Sequence, residues 1–472
     1  MNGKPIMNPY LPSWEYIPDG EPYVFDGRVY VYGSHDRFNG WVYCQNDYVC
    51  WSAPEDDLSD WRYEGVIYRK EQDPRNPDGH MCLYAPDVTK GPDGRYYLYY
   101  VLDKISIVSV AVSASPAGPF EFYGYVHDEN GKLLGEREGD EPQFDPGVIT
   151  ENGKTFLYTG FCPRMDGRRH GPMLTVLKED MLTIDEETVF IAPSAPYSKG
   201  SGYEGHEFFE APSIRKRNGK YYFIYSSIMF CELCYAVSDS PRGPFVYGGV
   251  IIANNDVGIS SYKPKEKPMY YGGNNHGSMI EIKDQWYIFY HRHTNGTNFS
   301  RQGCFEKISF RKDGGIDQAE ITSCAGFPLP GSGEYPAYIA CHLFAKDEEA
   351  YITGASGWMD SRFPKITQEG GDGDEYPGFV CNLRDGASAG YKYFDMKGVK
   401  AITINTRGYG DGEILIKTKW DGEKVGSVPV KYTNIWTSGT ANVSIPDGIH
   451  SLYFTFKGEG AVSFGAFTLH TY

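Results

Sequence analysis

The segment DGRVYVYGS at residues 26–34 is the first of five related copies along the chain. Each copy starts with a turn dipeptide and continues with alternating aromatic or aliphatic residues, the pattern of a half-buried strand that leaves a hairpin turn. The other copies are DGRYYLYYV at 93–101, NGKTFLYTG at 152–160, NGKYYFIYS at 218–226 and KDQWYIFYH at 283–291. The sequence therefore predicts five equivalent hairpins.

The copies begin about 65 residues apart, which leaves room for one four-stranded sheet per copy. Further strand patterns follow within the repeats, such as IVSVAVS from Ile107, and amphipathic helical patterns are almost absent. The repeat predicts an all-β fold with a five-bladed β-propeller in residues 1–325. A pair of β-sandwiches is the alternative, because sandwiches also consist of short strands and regular turns.

The repeat stops after about Glu320, where the chain becomes rich in Gly and Pro. We expect a linker at residues 326–336. Alternating strand patterns separated by short Gly and Asp turns then predict a β-sandwich of the jelly-roll type at residues 337–472.

Acidic residues outnumber basic ones, with 62 Asp and Glu against 45 Lys and Arg and a formal net charge of −17. This balance argues against nucleic acid or an anionic membrane as a partner. The sequence has no apolar run of about 20 residues and no apolar secretory signal, so we expect a cytoplasmic protein.

The 10 cysteines are expected to be free thiols, and Cys231 and Cys234 lack a second pair at zinc-site spacing.

An ionisable residue precedes every copy of the repeat by about seven positions. If the sheets are equivalent, these residues lie on the innermost strands and face the propeller axis. They are Asp19, Asp87, Asp145, Glu210 and His276. Grouped carboxylates differ in pKa in the way that an acid and base pair requires.

Two chemistries suit such a ring. In inverting glycosidases two carboxyl groups stand about 6.5–9.5 Å apart, one activating water and the other protonating the leaving oxygen. A calcium site is the second, but it usually needs several Asp and Asn at close spacing, which this sequence lacks. The pattern favours glycoside hydrolysis.

At these positions the sequence resembles glycoside hydrolase family 43, five-bladed propeller enzymes that remove arabinose and xylose from plant polysaccharides with inversion. The resemblance extends over about residues 8–325. The motifs that carry it are NPYLPSWEYIPDGEPYVFDGRVYVYGSHD, YAPDVTKGPDGRYYLYY, FDPGVITENGKTFLY, FFEAPSIRKRNGKYYFIYS and NNHGSMIEIKDQWYIFYHRH.

The resemblance implies roles for three carboxylates. Asp19 occupies the place of the general base that activates water. Glu210, in a Glu-Ala-Pro form of the family's Glu-x-Pro motif, occupies that of the general acid. Asp145 corresponds to the third carboxylate, which tunes the pKa of the acid and helps to orient the substrate.

Other residues are expected to contact the sugar. Arg301 matches an arginine of the last blade that reaches sugar hydroxyls in the family, and a surface arginine is the alternative. Tyr84, Trp14 and Phe209 are candidates for stacking on sugar rings, although aromatic side chains more often pack in cores. Asp87 belongs to the same substrate-binding set.

His276 is the candidate for both substrate and metal binding. It resembles an axial histidine that, in many family members, holds a structural calcium ion through water. Its alternative is a histidine that only hydrogen-bonds across the channel, because neutral imidazole is a poor direct ligand for a hard cation.

The segment SHDRFNGWVYCQNDYVCWSAPEDDLSDW resembles the arabinofuranosidase and β-xylosidase branch of the family. The resemblance implies an exo-acting enzyme that releases terminal α-L-arabinofuranose, β-D-xylose or both from arabino- and xylo-oligosaccharides of hemicellulose. The alternatives are an endo-arabinanase or endo-xylanase, and a glycan-binding propeller without activity. A fructan hydrolase is disfavoured, because its nucleophile lies in Asn-Asp-Pro whereas Asp19 lies in Pro-Asp-Gly.

The C-terminal region resembles carbohydrate-binding modules of family 6, mainly through YKYFDMKGVKAITINTRGYGDGEILIKTKWDGEKVGSV and DGIHSLYFTFKGEG. That family's calcium-holding Glu-Ala-Glu is replaced here by the residues from Ile339 to His342. Trp358 and Trp436 are candidates for stacking on a glycan, and a purely structural sandwich is the alternative.

Overall fold

The computed structural model describes residues 4–346, 350, 360 and 362–471. The helices in this part of the chain are three short 3₁₀ turns at Lys70–Gln72, Ala195–Tyr197 and Ala337–Ile339, and strands dominate the rest. No helix among the described residues is long and apolar enough to cross a membrane. The prediction of an all-β chain is confirmed.

Five antiparallel sheets follow one another along the chain, one for each copy of the repeat. The first is β1 Glu21–Phe25, β2 Arg28–Tyr32, β3 Tyr48–Pro54 and β4 Arg62–Tyr68. The second is β5 Asp87–Lys90, β6 Tyr96–Tyr100, β7 Ser109–Ser113 and β8 Glu121–Tyr125. The third is β9 Gly147–Glu151, β10 Lys154–Thr159, β11 Met173–Leu177 and β12 Ile184–Phe190. The fourth is β13 Phe208–Arg217, β14 Lys220–Ser227, β15 Glu232–Ser238 and β16 Val246–Ala253.

The fifth sheet has three strands, β17 Met279–Ile282, β18 Gln285–His293 and β19 Arg301–Ile308, where four were predicted. The N-terminal segment lies beside β19 instead. Asn8 Nδ2 donates to Phe305 O at 2.9 Å, and Phe305 N donates to Asn8 Oδ1 at 3.0 Å. An amide side chain therefore satisfies backbone groups that a fourth strand would otherwise pair.

The hairpin turns explain the repeat. Four of the five are two-residue turns with positive φ at both positions, the type I′ geometry for which Asn or Asp followed by Gly is best suited. Three of them have that dipeptide: Asp26-Gly27 (48° and 78°), Asn152-Gly153 (51° and 76°) and Asn218-Gly219 (49° and 78°). Lys283 and Asp284 adopt the same conformation without glycine, at 49° and 63°.

The innermost strands of the five sheets contact one another around a closed ring. Tyr23 of β1 donates to Asp87 of β5 at 2.7 Å, and Val148 N of β9 donates to the same carboxylate at 2.7 Å. Further round, Ser213 of β13 and Ser278 beside β17 share a 2.7 Å hydrogen bond. Gly20 and Gly277 form a parallel bridge that joins the fifth sheet to the first. These contacts confirm a propeller-type arrangement.

The described residues after 325 form two further sheets of six strands each. One contains β20 Leu329–Pro330, β22 His342–Phe344, β25 Ser388–Met396, β27 Asp411–Lys417, β28 Lys424–Val430 and β30 Gly448–Glu459. The other contains β21 Gly333–Pro336, β23 Lys365–Thr367, β24 Phe379–Arg384, β26 Ala401–Gly408, β29 Thr433–Asn442 and β31 Ala461–His470.

These two sheets pack through aromatic side chains. Phe454 of β30 lies 5.0 Å from Phe467 of β31 between ring centroids, and Tyr391 of β25 lies 4.9 Å from Phe467. The C-terminal sheets also contact the propeller through buried ions, because Lys392 Nζ lies 3.2 Å from Asp256 Oδ2. The predicted boundaries at residues 325 and 336 stay a prediction.

Candidate active site

Strand pairing identifies the residues that are equivalent around the axis. In each sheet, the backbone of the seventh residue of the repeat copy pairs with that of one residue on the innermost strand. We call these five residues the inner layer; they are Glu21, Asp87, Gly147, Ser213 and Ser278. Two positions upstream of each inner-layer residue is a second set of five, which we call the outer layer. They are Asp19, Ala85, Asp145, Ala211 and His276.

Asp87 thus belongs to the inner layer, and its predicted equivalence with Asp19 and Asp145 is wrong. The second hairpin has a five-residue loop at 91–95, whereas the first has a two-residue turn. A fixed number of positions before the repeat copy therefore reaches a different point of the inner strand in the second sheet. Asp87 is fully buried, and its oxygens accept bonds from Tyr23 and two backbone N–H groups. Asp87 therefore joins the second sheet to the first and the third, and it is not one of the outer-layer residues.

Glu210 lies one residue before the outer-layer position of its sheet. The pairing of β13 with β14 is irregular between Glu210 and Ser213, and Ala211 has a φ of 63°. A bulge of this kind re-aims the side chain that it carries, here Glu210, relative to regular strand alternation. Asp145 Oδ2 accepts a 3.3 Å hydrogen bond from Ala211 N, which ties the bulge to Asp145.

Asp19 is held as an ionised carboxylate. It is 4% exposed, and its Oδ1 accepts a 3.0 Å hydrogen bond from Arg301 Nη1 while Ser34 Oγ donates to Oδ2. Burial by itself would raise the pKa of Asp19, but the charge of Arg301 and the interaction with His291 together outweigh it and hold this pKa well below its usual range. A carboxylate in this state can accept a proton from water.

Arg301 is fully buried, which excludes the alternative of a surface arginine. Its Nε and Nη2 donate to the two oxygens of Asp36 at 2.8 and 2.9 Å, while Nη1 reaches Asp19. Its guanidinium carbon lies 4.8 Å from the ring centre of Tyr43. Sequence reasoning missed Asp36 and Tyr43, because both lie more than 250 residues from Arg301 along the chain.

Glu210 and Asp145 are shifted in the opposite direction to Asp19. Burial and the charge of Asp19 raise the pKa of Glu210 to about 8, with Arg301 opposing them. Burial and the charges of Glu210 and Asp19 raise the pKa of Asp145 well above its usual value. At neutral pH these two carboxyl groups therefore retain a proton, and half-buried Glu210 can donate it to a ligand.

His276 lies between the carboxylates of both layers. Its Nδ1 is 4.0 Å from Asp19 Oδ1 and 3.8 Å from Asp145 Oδ2, and its Nε2 is 3.9 Å from Glu21 Oε1. Burial lowers the pKa of His276 to about 4, so the imidazole is neutral at physiological pH. It can separate the carboxyl groups of Asp19 and Asp145 without adding a charge.

The residues near His276 do not fit a directly bound calcium ion, which takes six to eight oxygen ligands. Glu21 Oε1 lies 3.9 Å from Nε2 and is buried without a hydrogen-bond partner among the described residues. Glu21 Oε2 already accepts from Arg215 Nη2 at 2.6 Å and from Ser213 Oγ at 3.0 Å. The calcium prediction stays untested, and no step below depends on a metal.

A continuous row of aromatic rings begins beside the carboxylates. We call Tyr84, Phe144, Phe161, Phe209 and Phe230 the aromatic arc; successive ring centroids lie 5.6, 5.1, 5.3 and 4.8 Å apart. Four are half-buried and Phe230 is 49% exposed. Because Phe144 and Phe209 directly precede Asp145 and Glu210, the arc supplies an apolar surface where a sugar ring can stack. Trp14, which was predicted to stack on a sugar ring, is half-buried and is not part of the aromatic arc.

The C-terminal region contacts the loop that carries Asp36. Asp372 Oδ1 accepts from Phe38 N at 2.7 Å, and its Oδ2 accepts from Asn46 Nδ2 at 3.0 Å. Asp36 in turn binds Arg301, which bonds Asp19. The C-terminal sheets are therefore connected to the candidate site through loop 36–46.

Comparison with known proteins decides the family. The family model of Glycosyl hydrolases family 43 matches residues 4–316. The chain belongs to glycoside hydrolase family 43. As a member of family 43 it is a glycosidase with a propeller-type fold. Both were predicted from the repeat and from the ionisable residues that precede its copies.

Three relatives illustrate the family 43 match. A xylosidase/arabinosidase of Thermoclostridium stercorarium is 66% identical over 470 residues, covering 99% of each chain. A β-xylosidase/α-arabinofuranosidase from a compost metagenome, solved with xylotriose, is 27% identical with a TM-score of 0.52, covering 66% of this chain and 97% of that one. A Bacillus subtilis arabinoxylan arabinofuranohydrolase solved with cellotetraose shares the fold at 21% identity and a TM-score of 0.52, covering 99% of both chains.

The glycan-binding prediction for the C-terminal region is not decided by this match, which ends at residue 316. Trp358 lies outside the described residues. Trp436 is half-buried, with the Phe379 ring at 5.5 Å and the Arg407 guanidinium carbon at 4.4 Å from its ring centre. The resemblance to family 6 modules stays a prediction.

Proposed function

We propose that this family 43 glycosidase inverts configuration and releases terminal α-L-arabinofuranose and β-D-xylose from arabino- and xylo-oligosaccharides. The observation that carries the proposal is the contrast between two carboxyl groups. Arg301 holds Asp19 ionised, whereas the pKa of Glu210 is raised to about 8. The first can act as a base and the second as an acid at the same neutral pH.

In the proposed reaction, Asp19 accepts a proton from the water that attacks the anomeric carbon. Glu210 donates its proton to the leaving glycosidic oxygen as the bond to that oxygen breaks. Asp145 holds the backbone of the bulge that carries Glu210 through the hydrogen bond from Ala211 N, and His276 spaces the carboxyl groups. Each turnover leaves Asp19 protonated and Glu210 ionised, and exchange with solvent restores both groups.

The choice of sugar rests on the relatives. The 66% identical protein is a xylosidase/arabinosidase, and the compost-metagenome structure holds xylotriose. α-L-Arabinofuranose and β-D-xylopyranose present similarly placed hydroxyl groups, so one pocket can accept both. The aromatic arc supplies the apolar side of such a pocket, and the carboxylates supply the polar side.

The test is hydrolysis of 4-nitrophenyl α-L-arabinofuranoside and 4-nitrophenyl β-D-xylopyranoside by the wild type and by Asp19→Ala and Glu210→Ala. Loss of an essential acid or base should lower kcat by about 10²–10⁴-fold. Glu207→Ala is the matched control, because buried Glu207 bonds Ser198 Oγ at 2.7 Å within its own loop. Oligosaccharide release from arabinan or xylan without aryl glycoside turnover would contradict the exo-acting proposal.

A further inference from the structure

A second cluster of ionisable side chains lies on the fourth sheet and does not include Asp19, Asp145 or Glu210. It consists of His206, Glu232 and Cys234, whose ligand atoms all lie within 4.8 Å of one another. His206 Nδ1 is 2.8 Å from Glu232 Oε2, and Cys234 Sγ is 3.9 Å from the same oxygen. Glu232 and Cys234 alternate on β15, so both side chains point to the same face of the sheet.

We propose that His206, Glu232 and Cys234 form a zinc site. Thiolate, imidazole and carboxylate are the three ligand types that zinc binds with tetrahedral geometry. In such a site neighbouring ligand atoms lie roughly 3.3–3.5 Å apart, given Zn–N and Zn–O lengths near 2.0 Å and Zn–S near 2.3 Å. The observed separations of 2.8 and 3.9 Å lie on either side of that range and the third pair lies within 4.8 Å, so side-chain shifts would complete the site.

The charges of the cluster also suit a divalent cation. Binding releases the thiol proton of Cys234 to solvent, which leaves a thiolate, a carboxylate and a neutral imidazole around Zn²⁺. The two negative charges neutralise the two positive ones, which matters because Glu232 and Cys234 are buried. The sequence argument against zinc considered the Cys231 and Cys234 pair, whereas the structure joins Cys234 to a histidine from another segment.

The surroundings give the cluster both support and access. Ser227 Oγ donates to Glu232 Oε2 at 3.0 Å, and the Tyr247 ring stacks on His206 with centroids 5.4 Å apart. The His206 side chain is 35% exposed, so an ion and a fourth ligand from solvent can enter on that side. The carbonyl oxygen of His206 accepts from Tyr225 OH at 2.8 Å, which fixes its backbone.

The site would link separate parts of the fourth sheet. His206 lies in the segment before β13, whereas Glu232 and Cys234 lie on β15, with β14 between the two strands. A shared ion would fasten this segment, four residues before Glu210, to the centre of the sheet. The ion would take no ligand from Asp19, Asp145 or Glu210.

The experiment uses the full chain freed of metal and titrated with Co²⁺ and with Zn²⁺ against a chromophoric chelator. We expect one ion per chain, a thiolate-to-cobalt charge-transfer band and release of a proton on binding. Cys234→Ser should abolish the band, and both Cys234→Ser and His206→Gln should weaken zinc binding by about 100-fold or more. Cys231→Ser is the matched control and should bind zinc as the wild type does.

Thermal unfolding gives an independent readout, since an ion that binds only the folded state raises the Tm. Zinc should raise the Tm of the wild type and of Cys231→Ser but not of His206→Gln. If Cys234→Ser does not fold, His206→Gln still tests the site, because its side chain is partly exposed. A wild type without a charge-transfer band, or a His206→Gln variant with unchanged zinc affinity, would overturn the proposal.

Discussion

Replacement of Arg301 by lysine should change the pH at which Asp19 loses its function as a base. A lysine ammonium cannot replace the guanidinium fork that bonds Asp36 through Nε and Nη2 and Asp19 through Nη1. A hydrogen bond between charged groups contributes about 1.5–3 kcal/mol, and one pKa unit corresponds to about 1.4 kcal/mol. Loss of the 3.0 Å bond to Asp19 should therefore raise its pKa by about 1–2 units.

The assay is the pH dependence of kcat/KM with an aryl glycoside, each reaction being stopped in alkali before the absorbance is read. Asp19 must be ionised to act, so a raised pKa moves the acid limb of the profile upward by the same 1–2 units. Arg292→Lys is the control, because buried Arg292 donates to the carbonyl oxygens of Ala340 and Tyr338 rather than to a catalytic group. An acid limb unchanged in Arg301→Lys would refute the proposed effect of Arg301 on Asp19.

Three further predictions follow from the same site. Glu210→Gln should lower kcat by about 10²–10⁴-fold, less so with a 2,4-dinitrophenyl leaving group, and should remove the alkaline limb near pH 8 from the rate profile. Phe209→Ala removes a ring of the aromatic arc and should lower kcat/KM by roughly tenfold, mainly through KM, measured by initial rates on oligosaccharides. Asp372→Ala removes two hydrogen bonds to loop 36–46, so kcat should fall by roughly tenfold in the same assay.

Each of these has a result that would contradict it. A Glu210→Gln profile that keeps its alkaline limb would assign that limb to another group. Phe190→Ala, at an exposed phenylalanine outside the arc, should leave KM unchanged, and equal effects at both positions would remove the stacking role. Asp374→Ala loses a bond within its own loop, so an equal loss of kcat there would separate Asp372 from the active site.

The hairpins were predictable because their signal is local. Asn-Gly and Asp-Gly dipeptides favour the positive φ values that the turns at Asp26 and Asn152 adopt. The same local reasoning misplaced Asp87, since one longer loop changes the register between a turn and the strand before it. It also missed the replacement of a fourth strand in the last sheet by Asn8.

The three carboxylates of the candidate site were predicted from the sequence, but the contacts that control their protonation were not. Arg301 Nη1 meets Asp19 across 282 residues of sequence, and Asp36 meets Arg301 across 265. No local pattern in the chain encodes such contacts, because they exist only once the ring of sheets closes. The bulge that places Glu210 is likewise visible only in the pairing of β13 with β14.

The central claim is that Asp19 and Glu210 act on opposite sides of one bond as base and acid. It is tested most directly by proton NMR of the first sugar released from a β-D-xyloside in deuterated buffer, before the anomers equilibrate. The account predicts α-D-xylose as the first product, because water attacks from the side opposite to the leaving group. Initial release of β-D-xylose would show a covalent intermediate and would contradict the account.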